Sequence, residues 1–273
     1  MKTRIISGVI AIATVIGLLV FNSYFSIVSV VVLCILSALA TFEMLNNTGC
    51  IKNILFTLIA MLYSVAAQIA YNFENFNVVA ITVAYVAIVA VFAVFDHENF
   101  GERQITMAVG MPIALTYAFS TFGTLLNNAD GNGILYFVML ANFSSVADTF
   151  AYFTGCAIGK HKLAPVVSPK KTIEGVIGGI VGSLVGTLLI TVIFEKAIGE
   201  VDINLWVFLA ITPVLTVLGM IGDLFTSAIK RNCRIKDYGN LIPGHGGVLD
   251  RTDSFLLVAP VLALIIEYIP LVK

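Results

Sequence analysis

Residues 203–222 read INLWVFLAITPVLTVLGMIG, twenty positions without a formal charge, and Asp223 follows at once. About 20 apolar residues in an α-helix cross the hydrocarbon core of a bilayer, whereas a strand has no use for so long a run. In lipid, a helix also satisfies its own backbone N–H and C=O groups. The stretch therefore predicts a membrane-spanning helix. It leads straight into sequence of the opposite character: Ser227 to Asp253 reads SAIKRNCRIKDYGNLIPGHGGVLDRTD. Five basic residues, four aspartates counting Asp223, and a Gly-rich turn share these positions. Charge this dense in an apolar chain implies that something charged is held there. Carboxylates suit a divalent cation, Lys and Arg suit phosphate, and glycines let backbone N–H groups approach oxyanions.

Working outward, the chain of 273 residues is 59% apolar and 11% charged, far from the roughly 25% charged of soluble domains. Apolar windows fall at about 4–21, 25–45, 53–71, 76–95, 105–126, 133–157, 174–195, 203–222 and 254–271. They predict an all-α, polytopic integral membrane protein of about nine helices with cytoplasmic catalytic loops. Lys2 and Arg4 before the first run imitate a signal peptide, but no A-x-A-like cleavage site follows, so an uncleaved first span is expected. Cys34, Cys50, Cys156 and Cys233 show no metal-ligand spacing and read as plain thiols.

The basic residues test this count. With the N-terminus in the cytoplasm, the inside segments hold Lys2, Arg4, Lys52, Arg103, Lys160, Lys162, Lys170, Lys171, Lys230, Arg231, Arg234, Lys236 and Arg251. Only Lys196 and Lys273 fall outside. The positive-inside bias thus supports nine spans, with the C-terminus outside. Loops 158–173 and 223–253 share the cytoplasmic side, where nucleotides are. A division into a scaffold at 1–130 (about five spans) and a catalytic membrane region at 131–273 carrying both loops follows.

The first half offers little chemistry. Glu43, beside Asn46 and Asn47 near the end of the second span, reads as interfacial, and Pro112 is expected to kink the fifth span. In the sixth, Asn142, Ser145, Asp148, Thr149 and Tyr152 recur at helical spacing as a polar stripe. An intramembrane carboxylate is costly and faces a partner or a wet cavity. An interhelical clamp is the plainer reading; the wall of a site is the one favoured.

In the loop IGKHKLAPVVSPKKTI at 158–173, Ser168 is expected to cap the seventh helix, with Pro169 at its first position. Lys170, Lys171 and Thr172 would then occupy the first turn, where the helix dipole favours an anion. Gly178, Gly182 and Gly186, with Gly175 and Gly179 beside them, predict close helix packing. Further on, Pro243-Gly244-His245-Gly246-Gly247 suits wrapping a phosphate, and Asp223 and Asp250 would meet at a metal if the loop folds back. His245 has no second His or Cys at ligand spacing, so zinc is not expected.

At these residues the sequence resembles the phosphatidate cytidylyltransferase (CDP-diacylglycerol synthase) family. Its pattern is met by Ser227, Lys230-Arg231, Lys236-Asp237, Pro243, His245-Gly246-Gly247 and Asp250-Arg251-Thr252-Asp253. Asp148, Tyr152, Gly155, Gly159-Lys160, Ser168-Pro169, Lys171-Thr172 and Gly175 extend the resemblance upstream. It implies that CTP and phosphatidic acid give CDP-diacylglycerol and pyrophosphate in phospholipid biosynthesis. It also implies Mg²⁺ with or without a second cation, a homodimer, and residence in the cell (inner) membrane. Asp223 and Asp250 are expected to hold the metal, supported by Asp253 and Asp148. Lys171, Lys230, Arg231 and Arg251 would hold phosphates; Ser168, Thr172, Ser227, Lys236, His245, Gly246 and Gly247 would line the site. Nucleic acid is not expected among the partners.

Two other readings compete. A CTP-dependent kinase of a polyprenol or phytol would attack the γ-phosphorus with a neutral hydroxyl and need a base. A non-catalytic transporter with a nucleotide-binding loop would suit Asp148 and Pro112, but no inverted internal repeat is present.

Overall fold

The computed structural model describes residues 17, 19–22, 25–73, 76–98, 100–127, 131–198, 202–241 and 246–272. In chain order the elements are α1 (Ile27–Phe42), α2 (Ile54–Asn72), α3 (Val78–Phe95), α4 (Glu102–Leu126), α5 (Gly133–Ala141) and α6 (Ala147–Ile158). A small hairpin, β1 (Lys162–Ala164) and β2 (Ser168–Thr172), leads into α7 (Ile173–Ile198) and α8 (Leu205–Asn232), then α9 (Leu249–Thr252) and α10 (Phe255–Tyr268). Two wide π turns continue helices without breaking them, Glu43–Asn47 after α1 and Asn142–Val146 between α5 and α6.

Among the described residues, seven helices are long and apolar enough to cross a membrane. The chain is thus an integral membrane protein of α-helices, with a two-stranded hairpin among the described residues. The expected count of nine is not reached. The window at 254–271 yields α10, whose 14 residues rise only about 21 Å at about 1.5 Å each, and the window at 4–21 lies mostly outside the described residues. The eighth window also ends later than expected: α8 runs past Gly222 and Asp223 to Asn232, so that Ser227, Lys230 and Arg231 are helical.

Two compact units share the chain. The first comprises 1–123 and 232–252, the second 124–231 and 253–273. The charged stretch after α8 therefore packs largely with the first unit.

In the first unit α1, α2, α3 and α4 enclose an aromatic core. Phe56 meets Phe92 and Phe100 edge-on at 5.2 and 5.0 Å, and Tyr63 stacks on Tyr85 at 4.2 Å. The Tyr85 hydroxyl donates to Ala108 O at 2.6 Å, and Thr41 and Ser64 share a hydrogen bond of 2.8 Å between α1 and α2. Such bonds satisfy polar groups that no water reaches. The helix α4 runs through Pro112.

The second unit is built on the glycine stripe. A Cβ at Gly178 would run into Thr154, at Gly182 into Phe150 and at Gly186 into Asn142, so α7 lies directly against α5 and α6. A polar ladder fixes this contact and adds α8. Asn142 Nδ2 donates to Ser183 O and Thr187 Oγ1, both at 3.0 Å; Ser183 Oγ pairs with Thr216 Oγ1 at 2.8 Å, and Thr187 Oγ1 with Thr212 Oγ1 at 2.9 Å. Asn142 is therefore the interhelical clamp, and the polar stripe divides between packing and the site.

Candidate active site

In the second unit, α6, β2, α7 and α8 surround a cavity of about 310 Å³ lined by Asp148, Tyr152, Ser168, Lys171, Thr172 and Asp223, among others. Each wall has a local cause. Asp148 falls on the first turn of α6, after the π turn has rotated the polar stripe. Its Oδ2 accepts from Ser254 Oγ at 2.9 Å.

Lys171 arrives on a strand rather than a helix. The expected Ser168 cap and Pro169 start are overturned because the backbone of Ser168–Thr172 pairs antiparallel with β1, in the register Lys162 with Thr172 and Ala164 with Ser168. A two-stranded ribbon is all edge, where a proline without an N–H is tolerated. The helix starts at Ile173, whose N–H donates back to His161 O at 2.9 Å, and Thr172 takes over the capping, its Oγ1 accepting from Gly175 N–H at 3.1 Å. Glu174 completes the corner by accepting from the His161 N–H and meeting its Nδ1 at 2.6 Å. Close approach shapes this corner too, since a Cβ at Gly155 would come within 2.8 Å of Thr172 Oγ1.

At the centre, Lys171 Nζ stands 2.6 Å from Asp223 Oδ2, with both side chains about a fifth exposed. The contact is a close ion pair, and beyond it no other acceptor is assigned to the ammonium among the described residues. Asp223 Oδ1 accepts from Ser227 Oγ at 3.3 Å, one helical turn on. Asp253, at the foot of α10, shares a hydrogen bond with the Asp223 carboxyl. Burial, then the Asp223 charge beside it, pushes the Asp253 carboxyl up to about 7, while Lys230 pulls it down. Lys230 is buried on α8, and Arg231 Nε donates to Val167 O at 3.3 Å, tying α8 to the hairpin loop.

The second unit therefore brings together Asp148, Ser168, Lys171, Thr172, Asp223, Ser227, Lys230, Arg231 and Asp253. The first unit holds Lys236, Gly246, Gly247, Asp250 and Arg251, and His245 lies outside the described residues. There backbone N–H groups, that of Gly247 among them, serve the protein's own carboxylates. Gly247 and Tyr238 N–H donate to Asp250 Oδ2 at 3.0 and 2.7 Å, and Val248 and Leu249 N–H to Glu43 at 2.9 Å each. Glu43 is thus buried within the protein, with backbone N–H groups as its partners. A lone carboxylate in an apolar window was the available signal for it. Tyr238, Asn47 and Ser254 carried none.

Among the described residues no group of three or more His, Cys, Asp or Glu is assembled for a metal. Mg²⁺ does not require one, because it is commonly held by one or two carboxylates plus substrate phosphates and water. Asp223 and Asp253 supply such a pair. Two neighbouring half-buried carboxylates, one raised by burial and by the charge of the other, are a donor set that a hard cation relieves. The residues fit the ion.

A family model, the cytidylyltransferase family, matches residues 2–269. Among similar proteins, a phosphatidate cytidylyltransferase of Staphylococcus haemolyticus (strain JCSC1435) is 42% identical over 121 residues, 44% of this chain and 45% of that one. One from Staphylococcus aureus (strain COL) is 41% identical over 121 residues, again 44% and 45% of the two chains, and one from Staphylococcus epidermidis (strain ATCC 35984) is 38% identical over 134, 49% and 50% of the two. The chain thus spans about half the length of the relatives it matches. Since the family model covers nearly every residue, the chain belongs to the cytidylyltransferase family.

Proposed function

We propose that the chain is a phosphatidate cytidylyltransferase, joining CTP to phosphatidic acid to give CDP-diacylglycerol and pyrophosphate. The observation that carries this reading is the Lys171–Asp223 pair, set with Asp148 in one cavity between a hairpin strand and largely apolar helices. An ammonium with donors to spare beside carboxylates suits a nucleotide phosphate at a membrane surface. The names of the staphylococcal relatives support the same substrates.

The nucleophile is a phosphatidate oxygen. It bonds to the α-phosphorus of CTP while the bond from that phosphorus to the bridging oxygen breaks, and pyrophosphate leaves. A phosphomonoester is mostly dianionic near pH 7, with a second pKa of about 6, so no protein base is needed. The difficulty is to hold two polyanions in line. Lys171, Lys230, Arg231 and Arg251 hold phosphates in this reading, and Ser168, Thr172 and Ser227 donate hydrogen bonds. Lys236, His245, Gly246 and Gly247 are assigned to substrate by their place in the sequence pattern. Asp223 and Asp253 would hold Mg²⁺, with Asp250 assigned to it from the same pattern; when bound, the ion supplies neutralisation of phosphate charge. Asp148 keeps the cavity polar and, through Ser254, orders the start of α10.

The proposed setting is the cell (inner) membrane, as a homodimer, with the N-terminus and the nucleotide site on the cytoplasmic side. Purified protein in detergent, given CTP, phosphatidic acid and Mg²⁺, is expected to yield CDP-diacylglycerol in the lipid phase. Its absence under conditions where the protein remains folded would refute the reading.

A further inference from the structure

Glu43 opens the wide turn after α1 and is 4% exposed. A carboxylate so far out of water is costly unless its oxygens are satisfied. Each oxygen here has one backbone donor, Val248 N–H to Oε1 and Leu249 N–H to Oε2, both at 2.9 Å. Gly239 and Gly247 close around the group, and a Cβ at either would run into the Glu43 carboxylate. These glycines are therefore gaps shaped for a side chain from about two hundred residues earlier.

The other flank is held from the same turn. Asn47 Nδ2 donates to Tyr238 O at 2.8 Å, and the Tyr238 N–H donates to Asp250 Oδ2 at 2.7 Å. Gly246, at φ +90°, bends the chain so tightly that a Cβ there would come within 2.9 Å of the same oxygen. Glu43 and Asn47 thus grip both sides of the segment that carries Asp250. The grip on Val248 and Leu249 needs two acceptors side by side. A Gln in this place would set its NH₂ against one of the two N–H groups, donor against donor.

We infer that Glu43 is a positioning residue of the transfer reaction, its carboxylate fixing residues 246–250 so that Asp250 is held ready for the cation. The inference rests on the proposed function, in which Asp250 serves the metal. A residue that only stabilised the fold would change the melting temperature and leave metal dependence alone. One that orients a metal-binding group shifts metal affinity or activity by about ten- to a hundredfold.

The test compares Glu43→Gln and Gly247→Ala with the unaltered full chain in detergent. It measures melting temperature, Mn²⁺ affinity without substrate, and CDP-lipid synthesis across a Mg²⁺ titration. Glu43→Gln is expected to remain folded, weaken Mn²⁺ binding at least tenfold and raise half-saturating Mg²⁺ by a similar factor; Glu43→Asp should restore part of the loss. Gly247→Ala, which crowds the carboxylate from the opposite side, should give the same metal shift and decides the matter if Glu43→Gln does not fold. Parental Mn²⁺ affinity and Mg²⁺ dependence in a folded variant would overturn the inference. If the unaltered chain makes no CDP-lipid, the functional reading fails separately, and Mn²⁺ affinity alone judges Glu43.

Discussion

The Lys171 ammonium faces the Asp223 carboxylate at 2.6 Å, joining a strand of the hairpin to a helix that crosses the membrane. Without substrate, each charge neutralises the other. In the proposed reaction the same two groups would serve opposite partners, the ammonium a phosphate and the carboxylate a cation.

Lys171→Ala should therefore weaken the use of CTP while leaving the protein folded. A hydrogen bond to a charged group is worth about 1.5–3 kcal/mol, so the KM for CTP should rise about ten- to a hundredfold. Initial rates at limiting and saturating CTP measure it. Unchanged rates at limiting CTP would reduce Lys171 to flanking charge.

Asp223→Asn and Asp250→Asn should each lower turnover by about a thousandfold or more, because metal-assisted charge stabilisation supplies several kcal/mol and about 1.4 kcal/mol is tenfold. The double substitution should cost little beyond either single one, since residues that act as a unit are not additive. Asp237→Asn, in the same sequence pattern, should have a smaller effect. Kinetics across a Mg²⁺ titration distinguish these outcomes, and near-parental turnover in Asp223→Asn at ordinary Mg²⁺ would contradict the assignment.

The Asp253 carboxyl, raised by burial and by Asp223 to about 7, should make the proposed metal binding pH-dependent. Its folded value lies above its unfolded one, so the folded state binds the extra proton between about pH 4 and 7. Without metal, this contribution to stability is fully present below pH 4 and is lost as pH rises through 7. Binding of Mg²⁺ there would displace that proton, so its apparent affinity should strengthen over the same rise. Melting temperatures from pH 5 to 8, with and without Mg²⁺, measure both trends, and Asp253→Asn should flatten them.

Much of this was legible in the sequence because lipid imposes a simple rule on helices. The windows at 53–71 and 133–157 became Ile54–Asn72 and Gly133–Ile158, and the glycine stripe packs α7 as its spacing implied. What hid was local competition for hydrogen bonds. Nothing in SPKKT says that its backbone will pair with KLA instead of opening a helix, because a hairpin this short has no alternation to read. Asp148, Lys171 and Asp223 were recognisable as charges an apolar chain would not carry idly. Glu43 met the same criterion, but its partners are backbone N–H groups about two hundred residues away, which no spacing reveals.

The stripe itself can be tested. A Val at Gly182 would force carbon atoms into the Phe150 ring, and overpacking of this kind costs about 1–3 kcal/mol. Gly182→Val should lower the melting temperature in detergent by several degrees. Gly110→Ala, with no neighbouring atom within 4 Å of its Cβ, should leave it equal or higher. Equal effects at both positions would contradict the packing.

The central claim is transfer at the α-phosphorus, and positional labelling tests it most directly. Purified protein is given phosphatidic acid and either α- or γ-³²P-labelled CTP, and the lipid and water phases are analysed. Cytidylyl transfer should leave α-label in the lipid, release one pyrophosphate for each labelled lipid, and put γ-label wholly in that pyrophosphate. Lipid carrying the γ-label, with CDP left in the water phase, would make the protein a kinase and contradict the account.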